Sequence, residues 1–296
     1  MGRKWNTEVG RDLYWALTSP MMMRHPCLVD EAWGQREVGR YQGVLARLDQ
    51  SGSALDQAVR RRQSNRLGEY FEVLIGTWIR EVPPAKFLAA NWQVFGGKGT
   101  IGEYDLIFER DGGVHHWELA IKFYLGYFDG EKSRWYGPNP ADRLDKKWAK
   151  LRGQQLRLAR HPAGREALKK LHVRRPVESR GFLKGYLFEA LDREYRAEFP
   201  IDVNPSGLRG FWVHRSRWKL YQKELERKGE LRWVQLPRLR WMAPLEAEES
   251  MGTQSFEGLG AVLPEDRATM VVGLQSGRKG VEEICRGFVV PDGWPC

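Results

Sequence analysis

The stretch from Gly102 to Phe123 constrains this chain most, because it reads as two strands joined by a turn too short to leave their pairing free. One arm is Gly102-Glu103-Tyr104-Asp105-Leu106-Ile107-Phe108 and the other is His116-Trp117-Glu118-Leu119-Ala120-Ile121-Lys122-Phe123. Aromatic and β-branched residues of this density suit a pleated, half-buried surface. Between the arms, Asp111-Gly112 has the composition of a two-residue hairpin turn. That turn pairs Arg110 with Gly113 and sets Asp105 opposite Glu118. A Gly112-Gly113 turn would instead set Asp105 opposite Ala120 and Glu103 opposite Lys122. In both registers strand alternation keeps Asp105, Glu118 and Lys122 on one face.

Two carboxylates facing each other across a sheet repel. Either this face is solvated, with Glu118 and Lys122 as an ordinary charged pair, or something compensates the charge. Trp117, Leu119, Ile121 and Phe123 fill the other face, and Ala120 separates Glu118 from Lys122. Such a strand is expected to be covered on both sides. A hard cation such as Mg²⁺ takes carboxylate oxygens, water and phosphate. A lysine on the same face would orient a water or offset charge on a phosphoryl oxygen. His116 shares the face of Glu118, whereas the adjacent His115 points the opposite way, so the two are not a paired ligand set.

The 296 residues are enough for one large or two modest domains. No run approaches the roughly 18 apolar residues of a membrane span. The first residues open no signal-peptide pattern, and the three cysteines, Cys27, Cys285 and Cys296, have neither zinc nor disulfide spacing. A cytoplasmic location is expected. Residues 131–180 hold 15 Lys and Arg against 5 Asp and Glu, an excess equal to the net charge of +10. Residues 205–240 hold 10 against 3. These basic blocks are interleaved with Trp135, Tyr136, Trp148, Trp212, Trp218, Tyr221, Trp233 and Trp241. The pattern suits a polyanion such as DNA or RNA, or else a basic surface over aromatic core residues.

Residues 1–62 read as a helical extension. From Ser64 a helix runs to about Arg80, capped by Ser64 or Asn65 and stopped by Pro83-Pro84, with Leu67, Phe71, Leu74 and Trp78 as its apolar stripe. Strands are predicted over Trp92–Phe95, Ile101–Glu109 and His115–Leu125, then a loop over 128–140, a helix over 141–160 and a short helix over 164–172. Phe182–Glu189 reads as a further strand. Beyond residue 205, strands over 208–214 and 233–236 flank a basic helix over 215–228. Residues 245–261 read as an acidic, glycine-rich surface loop, and 268–274 as a buried strand. The α/β fold class follows, with a mixed central sheet flanked by helices. The expected division is a helical extension over 1–62, a core over 63–200 and a mixed C-terminal extension over 201–296.

The order helix, three strands, helix, strand, with an acid on the second strand and an acid plus lysine on the third, resembles the PD-(D/E)xK nuclease superfamily. Five blocks also resemble an uncharacterised bacterial family, domain of unknown function 1853. They are Arg66-Leu-Gly-Glu-Tyr-Phe-Glu72, Gly102-Glu-Tyr-Asp-Leu-Ile-Phe108, His116 to Leu125, Gly137-Pro-Asn139 with Asp142-Arg-Leu-Asp145, and Arg286 to Pro295. The resemblance implies a restriction-endonuclease-like core and a Mg²⁺- or Mn²⁺-dependent nuclease. Asp105 matches the second-strand metal-binding acid and Lys122 the third-strand lysine. Where the superfamily pattern has an acid two residues before that lysine, this chain has Ala120, and its acid sits one pleat back at Glu118.

Superfamily members often add a glutamate from the first helix. Glu69 lies opposite the apolar stripe and Glu72 at its edge, so Glu72 is the preferred candidate. In the helix over 141–160, Gln155 lies within the apolar stripe and resembles the glutamine that some relatives place near phosphate or water. Lys147, Lys150, Arg152 and Arg157 are candidate phosphate contacts. The expectation is a phosphodiesterase with Asp105 and Glu118 on the metal and Glu72, Lys122 and Gln155 in support. A nucleic-acid-binding or scaffolding protein that kept the fold and lost the chemistry is the alternative.

Overall fold

A computed structural model of the chain describes residues 5–97, 99–227, 231–245, 263–277 and 280–295. Asp111 and Gly112 both take positive φ, 49° and 77°, which is the backbone a primed two-residue turn demands. Arg110 pairs with Gly113, and the ladder runs back through Ile107–His116 to Leu106–Trp117. The Asp111-Gly112 register is therefore the one adopted. The arms are longer than their apolar cores suggest: β1 spans Lys86–Gly96, β2 Gly99–Arg110 and β3 Gly113–Phe128. From His116 to Ile121 every residue of β3 is buried, so the expectation of a strand covered on both sides holds and the solvated-face alternative does not.

The chain divides into two units, residues 1–121 with 148–184, and residues 122–147 with 185–296. In the first, four N-terminal helices, α1 (Glu8–Thr18), α2 (Trp33–Arg40), α3 (Gln42–Leu48) and α4 (Ala54–Arg60), precede α5 (Leu67–Glu81). The expected stripe of α5, Leu67, Phe71, Leu74 and Trp78, is buried. Its N-cap position is Arg66, two residues after Ser64 and one after Asn65, and with no side-chain cap. Ser64 instead donates its hydroxyl to Glu69. The strand order is β1-β2-β3-β5, where β5 covers Val177–Ala190. The 21–29 segment lies along the first half of β5, with Met22 N–H on the Leu183 carbonyl and Val29 N–H on that of Gly181.

The predicted helix over 141–160 is two pieces, α6 (Leu144–Gly153) and a 3₁₀ segment over Gln155–Arg160. Gly153 ends the first piece, as a residue with little helix propensity does near a helix C-terminus. After it α7 (Pro162–Lys170) starts with proline in its first turn. The 3₁₀ piece and α7 pack on β1 and β2 through Leu158, Ala167 and Leu168 against Val94, Tyr104 and Ile107.

In the second unit the predicted loop over 128–140 contains a strand, β4 (Ser133–Tyr136), paired with the end of β3. An Asp129 turn hidden by the local composition makes this possible, its carboxylate taking the N–H groups of Glu131 and Lys132. The end of β5 runs parallel to β6 (Leu208–His214), which runs parallel to β9 (Gly280–Val290). Strands β8 (Thr269–Gly277) and β7 (Arg232–Gln235) follow antiparallel. The expected basic helix is α8 (Trp218–Glu226) after a short 3₁₀ turn. Trp212, Trp218, Trp233 and Trp241 are all buried, so these are core aromatics and not part of a polyanion-binding surface. The predicted loop over 245–261 lies, after Leu245, outside the described residues. Both units are mixed α/β. Among the described residues no helix is long and apolar enough to cross a membrane.

One buried ion pair braces the first unit. Arg110, beside the hairpin turn, donates two hydrogen bonds to Glu37 of α2 at 2.7 and 2.8 Å. Removing one partner leaves an uncompensated buried charge. Glu37→Ala is expected to lower unfolding free energy by about 3–5 kcal/mol in urea denaturation. The joint change Glu37→Leu with Arg110→Met should recover most of that loss.

Candidate functional site

The strands β2 and β3 separate at Asp105. The last ladder pair is Leu106–Trp117, and beyond it the Asp105 carboxylate takes the backbone N–H of Leu119 at 2.9 Å. Asp105 therefore does not face Glu118 as a regular cross-strand partner; its side chain stands in for a main-chain acceptor. The alternation of β2 slips here as well. Tyr104 and Ile107, three residues apart, join one core cluster, which a regular strand forbids.

Glu118 is 1% exposed and is held on both oxygens. His116 Nε2 lies 3.0 Å from Oε1, and the Gln155 side-chain amide donates to Oε2. His116 Nδ1 lies 3.1 Å from the Ser179 hydroxyl. Burial pushes the His116 pKa down to about 4, although the charge of Asp105 opposes this, so the ring is neutral at pH 7. The neutral ring carries one proton, so one of these two contacts is donated by the ring and in the other the ring nitrogen accepts. Tyr104 packs edge-on to His116 at 4.7 Å between ring centres, and burial together with the Glu118 charge raises its phenol.

The two candidate glutamates of α5 go different ways. Glu69 accepts the Gln63 N–H at 2.8 Å and the Ser64 hydroxyl, which hold it below the usual carboxylate range. It serves the start of its own helix. Glu72 is partly buried, and burial, then the charges of Asp105 and Glu103, raise its pKa to about 7 against an opposing hydrogen bond from Asn91.

A cleft of about 690 Å³ opens beside these residues. Its lining includes Gln93, Glu103, Asp105 and Gln155, with Lys150 and Arg157 as cations. Arg152 is not part of it; its guanidinium lies over the Trp148 ring at 4.7 Å. Lys147 and Lys122 belong to the second unit. There Lys122 Nζ is 2.6 Å from Asp142 Oδ2, while Asp142 Oδ1 accepts the Tyr124 hydroxyl at 3.1 Å. Among the described residues no group of three or more His, Cys, Asp or Glu is arranged to hold a metal ion.

Within the first unit, then, Asp105, Glu118, Glu72 and Gln155 form one cluster of carboxylates and amide beside a ligand-sized cleft. Sequence reading passed over Ser179, which lies 63 residues from His116, and Asp142 as the partner of Lys122. No local pattern signals either pairing. The molecule is of the class of mixed α/β proteins with a buried carboxylate site at a strand separation. The chain belongs to the family described as domain of unknown function 1853, whose model matches residues 11–290. No curated protein and no solved structure matches it significantly.

The elevation of Glu72 has a pH consequence. Its folded value of about 7 lies above the ordinary 4.5, so ionising it opposes folding. The penalty is small at low pH, grows as pH rises through this window and is complete above about 7. Glu72→Gln should leave stability nearly unchanged at about pH 4 and raise it by about 2 kcal/mol at about pH 8. Chemical denaturation at the two pH values checks this.

Proposed function

We propose that the first unit is a restriction-endonuclease-like core and that the protein is a Mg²⁺-dependent phosphodiesterase acting on DNA or RNA. The crowding at Glu72 carries this reading. The Glu72 carboxyl is raised to about 7 first by burial and then by the charges of Asp105 and Glu103, and a divalent cation among these acids would stabilise its ionised form. Magnesium does not require a cage of three protein ligands. It is commonly held by one or two carboxylates, with water and substrate phosphate completing its sphere. The all-oxygen donors of Asp105 and Glu118 fit Mg²⁺, or Mn²⁺, in that way.

When bound, such a cation polarises a phosphoryl oxygen and stabilises its developing charge. The side chains of the chain do the rest. Glu72, with its near-neutral pKa, suits the acceptance of a proton from an attacking water. His116 and Gln155 hold Glu118 in one orientation. Lys150 and Arg157 line the cleft where they suit phosphate contacts that do not read sequence. Lys147 and Arg152 add basic charge along α6. The cysteine usage supports a cytoplasmic setting.

A second reading, a nucleic-acid-binding protein without cleavage, is favoured by two particulars. Ala120 stands where the superfamily pattern has an acid, and Lys122 is tied to Asp142 at 2.6 Å. Calorimetry with Mg²⁺ or Mn²⁺ separates the two readings. Under the first, the cation binds, Asp105→Ala abolishes binding, and labelled DNA or RNA is cut only with the cation present. Salt-sensitive polyanion affinity with no cation binding and no cutting favours the second.

A further inference from the structure

Asn91 lies inside β1 with φ at 51°, a left-handed backbone foreign to an extended strand. Two other non-glycine residues among those described have positive φ. Asp111 belongs to the hairpin turn and His172 follows the end of α7, where such a conformation is ordinary. Asparagine tolerates it better than most side chains, but the conformation still costs free energy and persists only where the surroundings hold it. Its place in the sheet is informative. Ala90 pairs with Leu106 and Trp92 with Tyr104, so Asn91 stands opposite Asp105, and that rung is missing from the ladder. The break in β1–β2 pairing therefore falls at the same residue where β2 parts from β3. β1 is also the outermost strand of the sheet, and irregular backbone blunts such an edge. A glycine would serve that end with less strain. What asparagine adds is its side-chain amide.

β1 sets amides against the acids of β2. Gln93 pairs with Glu103, and its side-chain amide donates to the Glu103 carboxylate. Asn91, across from Asp105, hydrogen-bonds to Glu72 of α5. One amide thus joins the helix acid to the rung that carries the strand acid. Glu72 feels the charges of both Asp105 and Glu103. Like charges push carboxyl groups apart, and a glutamate side chain has rotamers enough to swing away. A neutral donor from β1 opposes that swing and leaves the charge of Glu72 uncancelled. A group that accepts a proton from an attacking water must be held within hydrogen-bond reach of it. Such groups depend on supporting contacts that lock their geometry, and backbone strain is tolerated where it secures one.

We infer that Asn91 is a positioning residue: its left-handed backbone aims the side-chain amide at Glu72 and keeps that carboxyl beside Asp105. The inference deepens the phosphodiesterase reading and rests on it for what Glu72 does there. The contact is read first, without activity, by NMR of the metal-free full chain labelled with nitrogen-15 asparagine. Asn91→Gly identifies the Asn91 side-chain amide signal by removing it, and Glu72→Ala is expected to shift that signal. Backbone strain is read by melting. Asn91→Ala should melt below Asn91→Gly, because only glycine accepts the left-handed conformation freely. Cleavage of labelled DNA and RNA in Mg²⁺ is read last. Asn91→Gly, which keeps the backbone and removes the amide, should lower kcat about tenfold and leave KM within about twofold. On a Glu72→Gln background the same change should cost no further activity, whereas a merely structural role would add its own loss. An amide signal indifferent to Glu72→Ala, equal melting of the alanine and glycine variants, or an additive loss on the Glu72→Gln background overturns the inference. A shifted signal and the expected melting order in a protein that cuts no nucleic acid would remove the hydrolytic reading alone. Asn91 would then stand as the residue that positions Glu72.

Discussion

The hydrogen bond from Leu119 N–H to Asp105 is the interaction on which the rest of the site depends. Backbone donors inside a protein must be satisfied, so two strands cannot part unless something replaces the lost ladder. Asp105 supplies the replacement from its side chain. Its carboxylate accepts the first donor beyond Leu106–Trp117, and β2 is released to continue with β1 alone. The opening so created admits Gln155 from the 3₁₀ segment to Glu118 on β3. The Asp111-Gly112 turn lies upstream of all this, because it sets which residues meet where the ladder stops. A one-residue slip would turn each side chain of the arm to the opposite face.

Buried charge in the first unit is handled in two ways. Where structure is the purpose, charges are matched: Arg110 and Glu37 pair through two hydrogen bonds. Near the cleft the carboxyl groups are held by neutral partners. A neutral His116 and the Gln155 amide hold Glu118, a backbone N–H holds Asp105, and an Asn91 hydrogen bond only partly offsets the elevation of Glu72. Neutral partners orient a carboxyl group without cancelling its charge. The result is a small volume of oriented carboxyl groups, which is a poor device for stability and a useful one for binding a cation.

Much of this was legible in the chain. The turn dipeptide determined the register, the apolar stripe of α5 determined its buried face, and the wheel position of Glu72 distinguished it from Glu69. Gln155 drew notice as a polar residue among apolar neighbours, and it does meet Glu118. What escaped was whatever depended on a break in periodicity. Gly153 splits the predicted long helix, the slip between Tyr104 and Ile107 carries Asp105 out of regular alternation, and the Asp129 turn allows β4 inside an apparent loop. The tryptophans left two readings open because composition counts them without saying which way they point; Trp212, Trp218, Trp233 and Trp241 are in the core, as the reading of a basic surface over core aromatics has it.

The amino-acid order by itself determined the elements and their local pairing, since strand alternation, helical spacing and turn chemistry act over a few residues. It determined too that acids, an amide and cations occur near one another along these elements. Only the tertiary structure decided their partners. His116 finds Ser179 across 63 positions, Lys122 is engaged by Asp142, and Glu72 acquires its near-neutral pKa from burial and then from charges on another element. The physical reason is that hydrogen bonding and desolvation depend on separations of a few ångströms between distant parts of the chain. Those separations are set by packing, and packing is not written in any local pattern.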